Sequence, residues 1–160
     1  MGELPKRKSN RLVNYDYAQN GAYFVTICTK GKESVFGNID DGKMTLSNVG
    51  LIADSELQKA ASHFNDVVIN NYVVMPNHVH LIIVIMGTGT GMPAGEASGA
   101  STITVGNIIR GYKSGVSRIT GFSPWQKSFH DHVIRNQEDY NRIAEYIENN
   151  TARWAEDRYY

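Results

Sequence analysis

The chain has 160 residues, of which 41% are hydrophobic, and this is enough for one domain with a buried core. Its formal net charge is zero, and its single cysteine, Cys28, cannot form an intramolecular disulfide, which favours a reducing cytoplasm over the disulfide-rich secreted class. No apolar run has the length of a membrane span and the N-terminus is too polar for a secretory signal, so we expect a cytoplasmic protein with no membrane partner.

The first twenty residues form a basic lead-in to this single domain. Four cations cluster there: Lys6, Arg7, Lys8 and Arg11. A neutral total is unusual for a protein that binds nucleic acid, because phosphate contacts normally require an excess of Lys and Arg. The cluster is therefore either a DNA contact or an ordinary solvated surface.

The order of predicted elements defines the fold class. A strand over 22–30 is followed by a hairpin that turns at 40–42, a helix over 47–64, strands over 66–75 and 78–85, a helix over 104–119, a strand over 129–135 and a helix over 136–150. This β-α-β-β-α-β order predicts an α+β, ferredoxin-like antiparallel sheet with an added C-terminal helix.

A glycine-rich segment over 87–101 lies between the third strand of that core and its second helix. It contains no G-x-G-x-x-G and no lysine where a phosphate-binding loop needs one. The composition predicts a flexible loop and not a nucleotide site.

Two histidines, His78 and His80, interrupt the apolar strand over 78–85. Residues two apart in a strand share one face, so both imidazoles point the same way, and Val79 and Leu81 point the other way. Two neutral imidazoles side by side are a natural start to a metal site. The alternative is a pair of sheet-edge histidines that are hydrogen-bonded to neighbours or water.

The predicted C-terminal helix begins with Asn136 as its N-cap and carries an apolar stripe that includes Ile143 and Ile147. Tyr146 and Asn150 are four residues apart, so we expect a phenol and an amide to lie together at the edge of that stripe. The alternative is a boundary tyrosine followed by a helix-capping asparagine.

Three stretches together resemble the REP-associated tyrosine transposases, a branch of the single-tyrosine HUH endonucleases. These are the His-hydrophobic-His motif within 75–81, the lead-in and first strand over 15–29, and the last strand and helix, which span 125–136 and 146–150. The resemblance extends from about residue 7 to residue 154, with the motifs in the family's order. One departure is Thr151, where the family commonly has proline after the paired asparagines, and it concerns the end of the helix.

The resemblance implies a chemistry for these residues. His78, His80 and Asn150 would hold a divalent cation, Mg²⁺ or Mn²⁺, and Tyr146 would attack a DNA phosphate to give a 5′-phosphotyrosine and a free 3′-hydroxyl. The implied substrate is single-stranded DNA beside a REP-like hairpin. The implied enzyme is a monomer or a homodimer.

Further side chains are candidates for DNA contact. They are Lys6, Arg7, Lys8, Arg11, Tyr15, Tyr17, Arg110 and Lys113. We expect Trp125 to be a core residue, and His130 and His132 to be structural or DNA-contacting. The competing function is a non-catalytic regulator that binds DNA hairpins on the same fold. An RNA-binding module is disfavoured because the chain has no K/R-G-F/Y-G/A-F motif.

Overall fold

The computed structural model describes residues 21–86 and 103–156. The basic lead-in with Tyr15 and Tyr17 and the glycine-rich segment lie outside these ranges. The predictions made for them stay predictions.

Six strands and three helices make up the described part. In chain order they are β1 Gly21–Cys28, β2 Gly37–Asp40, β3 Lys43–Leu46, α1 Asn48–Ala60, β4 Val67–Met75, β5 His78–Ile85, α2 Val105–Thr120, β6 His130–Ile134 and α3 Gln137–Glu148. Short 3-10 turns occupy Lys30–Lys32, Ala61–His63 and Trp154–Glu156. Among the described residues, no helix is both long and apolar enough to cross a membrane.

The main sheet has the strand order β4-β5-β1-β6, with every neighbouring pair antiparallel. This order, with α1 and α2 as the crossovers, confirms the predicted ferredoxin-like core. Strands β2 and β3 form a separate hairpin inserted between β1 and α1. Asp41 and Gly42 at its tip both have positive φ angles, 57° and 76°, which matches the type I′ turn that the right-handed twist of a hairpin favours.

The start of α1 shows how local sequence sets the crossover. The hydroxyl of Ser47 accepts a hydrogen bond from the Gly50 amide at 3.0 Å and donates one to the Val35 carbonyl at 2.7 Å. A β-carbon at Gly50 would come within 2.0 Å of the Phe36 carbonyl oxygen, so only glycine permits this close approach. The cap and the glycine together fix the helix against the loop before β2.

Both faces of the main sheet are covered. On one face the odd-numbered residues of β5, such as Val79 and Leu81, pack with α1 and α2 in the larger core. On the other face Ile82 and Val84 pack against α3 in a second core. His78 and His80 share the parity of this second set, so they lie on the face that α3 covers.

Helix α3 is anchored by a buried phenol. The β4–β5 register shifts between Ile69 and Tyr72, and the two residues within this irregularity are Asn70 and Asn71. The hydroxyl of Tyr140 donates to Asn71 Oδ1 at 2.8 Å and accepts from Asn70 Nδ2 at 3.3 Å. A bulge changes the direction of the side chains within it, and here it directs two asparagine side chains to hydrogen-bond the first turns of α3.

The predicted phase of α3 gives a stability test. Ile147 is 2% exposed in the second core, whereas its neighbour Glu148 is exposed. We expect Ile147→Ala to lower the free energy of unfolding by about 2–5 kcal/mol, because it leaves a cavity between α3 and the sheet. Glu148→Ala is the control and should change it by less than about 0.5 kcal/mol. Urea denaturation measures both, and equal small effects would contradict this packing of α3.

Candidate active site

The imidazoles of His78 and His80 are almost completely buried, at 0% and 1% exposure. Their Nε2 atoms face each other at 3.1 Å. On the far side of each ring, His78 Nδ1 lies 2.7 Å from Asn77 Oδ1 and His80 Nδ1 lies 2.9 Å from Thr26 Oγ1. Each of the four ring nitrogens therefore has a hydrogen-bonding neighbour.

These neighbours define where the protons sit. The amide nitrogen of Asn77 donates to the Lys32 carbonyl, which orients its oxygen toward His78. His78 must then donate from Nδ1, so Nε2 of its neutral ring carries a lone pair. Thr26 can either donate or accept, so it accommodates either tautomer of His80. With the proton of His80 also on Nδ1, two nitrogen lone pairs converge on one point, as metal ligands do.

The phenol of Tyr146 lies at the edge of this pair. Its hydroxyl is 3.5 Å from His80 Nε2, and the two ring centroids are 5.2 Å apart. Phe24 contacts both rings, edge-on to Tyr146 at 6.1 Å between centroids. Tyr146 is 40% exposed as a residue, so the side chain that contacts the buried imidazoles is also partly open to solvent.

Asn150 lies just beyond α3. The helix ends earlier than the predicted residue 150, because Asn149 leaves the helical conformation and its amide bonds to the Glu145 and Ile147 carbonyls. Asn149, and not Asn150, is therefore the C-cap residue. Asn150 is 3% exposed, and within the described residues its Oδ1 atom has no hydrogen-bond partner. A buried carbonyl oxygen without a partner is costly, and it is the kind of atom that a cation would satisfy.

The unpartnered Oδ1 of Asn150 and the two imidazoles are together a set of donor atoms that suits a divalent cation. Across residues 21–86 and 103–156, no three His, Cys, Asp or Glu side chains gather in a metal-binding cluster. The fit therefore depends on the amide of Asn150 as the oxygen ligand beside the two imidazoles of His78 and His80. Two nitrogens and one neutral oxygen leave room for water and a phosphate in the shell of Mn²⁺ or Mg²⁺.

Several residues at the site were not assigned from the sequence. Asn77 and Thr26 orient the imidazoles, and Trp154 stacks on His78 with 6.2 Å between centroids. Asn77 directly precedes His78, so its adjacency was a usable signal. Thr26 and Trp154 are brought in by strand register and by the turns after α3, which no local pattern reports.

Cys28 is closer to the site than its sequence position suggests. It lies within strand β1, as predicted, but the β1–β5 register places it opposite His78. The pairing of β1 with β5, and not proximity along the chain, brings Cys28 to this part of the structure. It does not complete a three-residue His/Cys cluster in the described structure.

The structure also gives positions or contacts for the other candidates from the sequence, and His130 lies opposite Thr26, the register partner of His80. Trp125 is buried and donates through its indole nitrogen to the Lys113 carbonyl, so it is a core residue, as predicted. His132 pairs with Asp139 at 3.0 Å, and Tyr146 contacts His80 and not this second histidine strand. Arg110 and Lys113 both line a groove beside α2, which is described below.

One comparison of sequences is informative. No family model matches the chain. A protein of Haemophilus influenzae, named only as an uncharacterized protein, is 35% identical over 167 residues, covering 96% of this chain and 93% of its own length. The chain belongs to the same family as that protein.

Solved structures identify the fold of this family. A REP-associated tyrosine transposase bound to a REP hairpin matches 84% of this chain and 68% of its own, with a TM-score of 0.61 and 20% identity. A candidate transposase from Deinococcus radiodurans matches 80% of this chain and 88% of its own, with a TM-score of 0.50 and 17% identity. The family has the fold of the REP-associated tyrosine transposases, which confirms the resemblance at that level.

The first turn of α3 also carries a charge network. Asp139 accepts from His132 and from the Arg135 amide, and it forms an ion pair with Arg142. Burial raises the pKa of the Asp139 carboxyl, but these hydrogen bonds and the positive charges of His132 and Arg142 outweigh it and hold the pKa below its ordinary value. The network joins β6 to the start of the helix that carries Tyr146.

This lowered pKa gives a pH-dependent stability prediction. The folded state binds the proton of Asp139 less readily than the unfolded chain does, so the stabilisation is complete above the ordinary pKa near 3.8 and is lost as the pH falls through the lower folded value. At pH 7 we expect Asp139→Asn to cost about 1–3 kcal/mol. The cost should shrink steadily below about pH 4. The exposed Asp131→Asn is the control in urea melts from pH 7 to pH 3, and a cost independent of pH would contradict the assignment.

Proposed function

We propose that this protein is a single-stranded DNA endonuclease and strand transferase that cuts and rejoins DNA beside a hairpin. The observation that carries the proposal is the Tyr146 hydroxyl, which lies 3.5 Å from His80 Nε2 where two buried imidazoles converge. The fold of a hairpin-bound transposase supports DNA as the substrate class. Such an enzyme would act in the cytoplasm, as a monomer or a homodimer.

The protein's own residues have separate roles in this proposal. His78, His80 and Asn150 would hold the divalent ion, which when bound polarises the scissile phosphate and neutralises the charge that develops on it. Asn77 and Thr26 fix the two rings so that their Nε2 atoms face the ligand position. Trp154 covers His78 from the side of the C-terminal turns.

Tyr146 performs the covalent step. Its phenolic oxygen forms a bond to phosphorus, the bond between phosphorus and the 3′-oxygen breaks, the phenol proton passes to water and the 3′-oxygen takes a proton from water. The product is a 5′-phosphotyrosine and a free 3′-hydroxyl. A phosphotyrosine is still a phosphodiester with a good leaving group, so a 3′-hydroxyl can reverse the step and no external energy source is required.

A non-catalytic regulator that binds DNA hairpins is the second candidate, since it would keep the fold and the DNA contacts. It has no need for two buried imidazoles with a partly exposed tyrosine beside them, or for a buried amide oxygen without a partner at Asn150, each of which costs stability or order. The four residues together favour the enzyme. Formation of a covalent protein–DNA adduct separates the two candidates directly.

The nucleophile is tested by Tyr146→Phe. We expect this variant to lose the covalent adduct with a labelled hairpin oligonucleotide from the gene's own flanks, because only the attacking oxygen is removed. Hairpin affinity and the melting temperature should stay close to wild type. Tyr23→Phe, in β1 on the opposite face of the sheet, is the matched control and should form the adduct normally. Denaturing gels and peptide mapping report the result, and an adduct on Tyr140, Tyr159 or Tyr160 would contradict the assignment.

The metal is tested by His78→Ala and His80→Ala. Both should abolish cleavage and leave hairpin binding largely intact, because they remove ligands of the ion and no DNA contact. Asn150→Ala should weaken the binding of Mn²⁺, measured by calorimetry, and reduce the amount of adduct. EDTA added to the wild type should abolish cleavage, as the two histidine substitutions do. The exposed His63→Ala is the control. Full cleavage by the wild type in EDTA would rule out the metal.

A further inference from the structure

We propose that a basic groove beside α2 binds the sugar-phosphate backbone of the duplex stem of the DNA hairpin. This inference rests on the proposed function and adds a second DNA site to it, on the opposite side of the sheet from Tyr146. The groove has a volume of about 1050 Å³ and runs between α2 and the segment that leads into β6. Its basic residues are Lys30, Arg110, Lys113, Arg118 and Lys127.

The charge of the groove is the first argument. The chain as a whole is neutral, with 16 basic and 16 acidic residues, yet none of the groove residues is acidic. Within the described residues, no ion pair with a carboxylate involves Lys30, Arg110, Arg118 or Lys127. These four cations, of which Arg110 also donates to the Asn107 side chain at 3.0 Å, produce a local positive potential in the groove.

Lys113 has a different role from the other four. Its ammonium group donates to the carbonyls of Gln126, Lys127 and Ser128, at 2.9, 3.4 and 3.4 Å. Burial lowers the pKa of this ammonium group. Lys113 therefore ties the segment that carries Lys127, which forms the other wall of the groove, to α2.

The shape of the groove matches a duplex backbone. Along α2, the lining residues Gly106, Arg110, Ser114, Ser117 and Arg118 recur at helical spacing and so form one face. From Gly106 to Arg118 this face is roughly 18 Å long at 1.5 Å per residue. One strand of a duplex places about five phosphates in that length, at roughly 3.4 Å per phosphate along the axis. Arginine and serine side chains are common donors to such phosphates.

The aromatic residues of the groove argue against unpaired bases as its ligand. Trp125 is 4% exposed and packs between Phe36 and Tyr112. Phe129 packs against the same core. Proteins that bind single strands offer exposed aromatic faces to the bases. Trp125 is not available for that purpose and Phe129 is only partly exposed, so the groove favours contacts to the backbone over stacking with bases.

The groove begins at the end of the sheet that carries the histidines. Cys28 pairs with His78, Thr29 forms a bridge with Trp125, and the Lys30 amide bonds to the Pro124 carbonyl. A duplex held in the groove would therefore reach the end of strands β1 and β5, where His78 lies. The unpaired strand that leaves it could pass around this end of the sheet to Tyr146 on the α3 face.

The test measures how hairpin affinity depends on salt. Arg118→Gln combined with Lys127→Gln removes one cation from each wall, and Lys43→Gln combined with Lys59→Gln, both exposed and outside the groove, is the control with the same change in charge. All proteins carry Tyr146→Phe so that no cleavage intervenes. Each lost phosphate contact should reduce the slope of log K against log salt by about 0.9, so the groove variant should lose roughly 1.8 in slope and roughly 60-fold in affinity at 0.1 M salt.

The ligands separate the outcomes. The expected result is this loss with the DNA hairpin and little loss with an unpaired oligonucleotide of the same charge, while the control variant keeps the wild-type slope. An unchanged slope for the groove variant overturns the proposal, and so does a loss that is equal in the control or confined to the unpaired strand. Formation of the covalent adduct is measured separately, in the wild type and in the groove variant, both with Tyr146 intact. If the wild type forms the adduct but the groove variant keeps the wild-type salt slope, the groove proposal is wrong and the proposed function stands. If the groove variant changes the salt slope but the wild type forms no adduct, the proposed enzyme activity is wrong and the groove proposal stands.

Discussion

The structure depends on the burial of two imidazoles within an otherwise apolar face of the central sheet. A buried polar group without a partner costs about 1–3 kcal/mol, so four ring nitrogens must each find a neighbour. Strand β5 supplies Asn77 from the turn before it, and β1 supplies Thr26 from the register position opposite His80. The remaining two nitrogens face each other, and that of His80 also lies near the Tyr146 hydroxyl. The pairing of β1 with β5 therefore determines the geometry of the site before any helix is considered.

Helix α3 covers this buried pair and places a partly exposed tyrosine beside it. Its second core covers most of that face of the sheet, and the phenol of Tyr140 fixes its rotation through Asn70 and Asn71. Tyr146 lies six residues further on, at about 600° of helical rotation, so it emerges on a different side of the helix from Tyr140. One tyrosine is therefore fully buried and structural, while the other is partly exposed beside His80. The same helix anchors itself and presents a hydroxyl.

Most of the fold could be predicted from the sequence because its signals are local. The shared face of His78 and His80, the Asn136 cap and the turn at Asp41–Gly42 each depend on residues within a few positions of one another. The end of α3 and the contact of Trp154 with His78 could not be predicted, because the first depends on where the C-cap forms and the second on two turns beyond it. The basic groove combines residues from the end of β1, from α2 and from the segment before β6, so only the folded chain reveals it.

The two histidines differ in how firmly their tautomers are set, and this difference matters for the cation site proposed above. His78 is held to one tautomer by an amide oxygen that cannot donate. Without a cation, the 3.1 Å contact between the two Nε2 atoms needs one proton, and His80 supplies it while Thr26 donates to its Nδ1. If the two Nε2 atoms held a cation, the proton of His80 would be on Nδ1 and the Thr26 hydroxyl would accept its hydrogen bond. A hydroxyl serves both states without moving, whereas a carboxylate would permit only the second, so the threonine lets the pair stay satisfied whether or not an ion is bound.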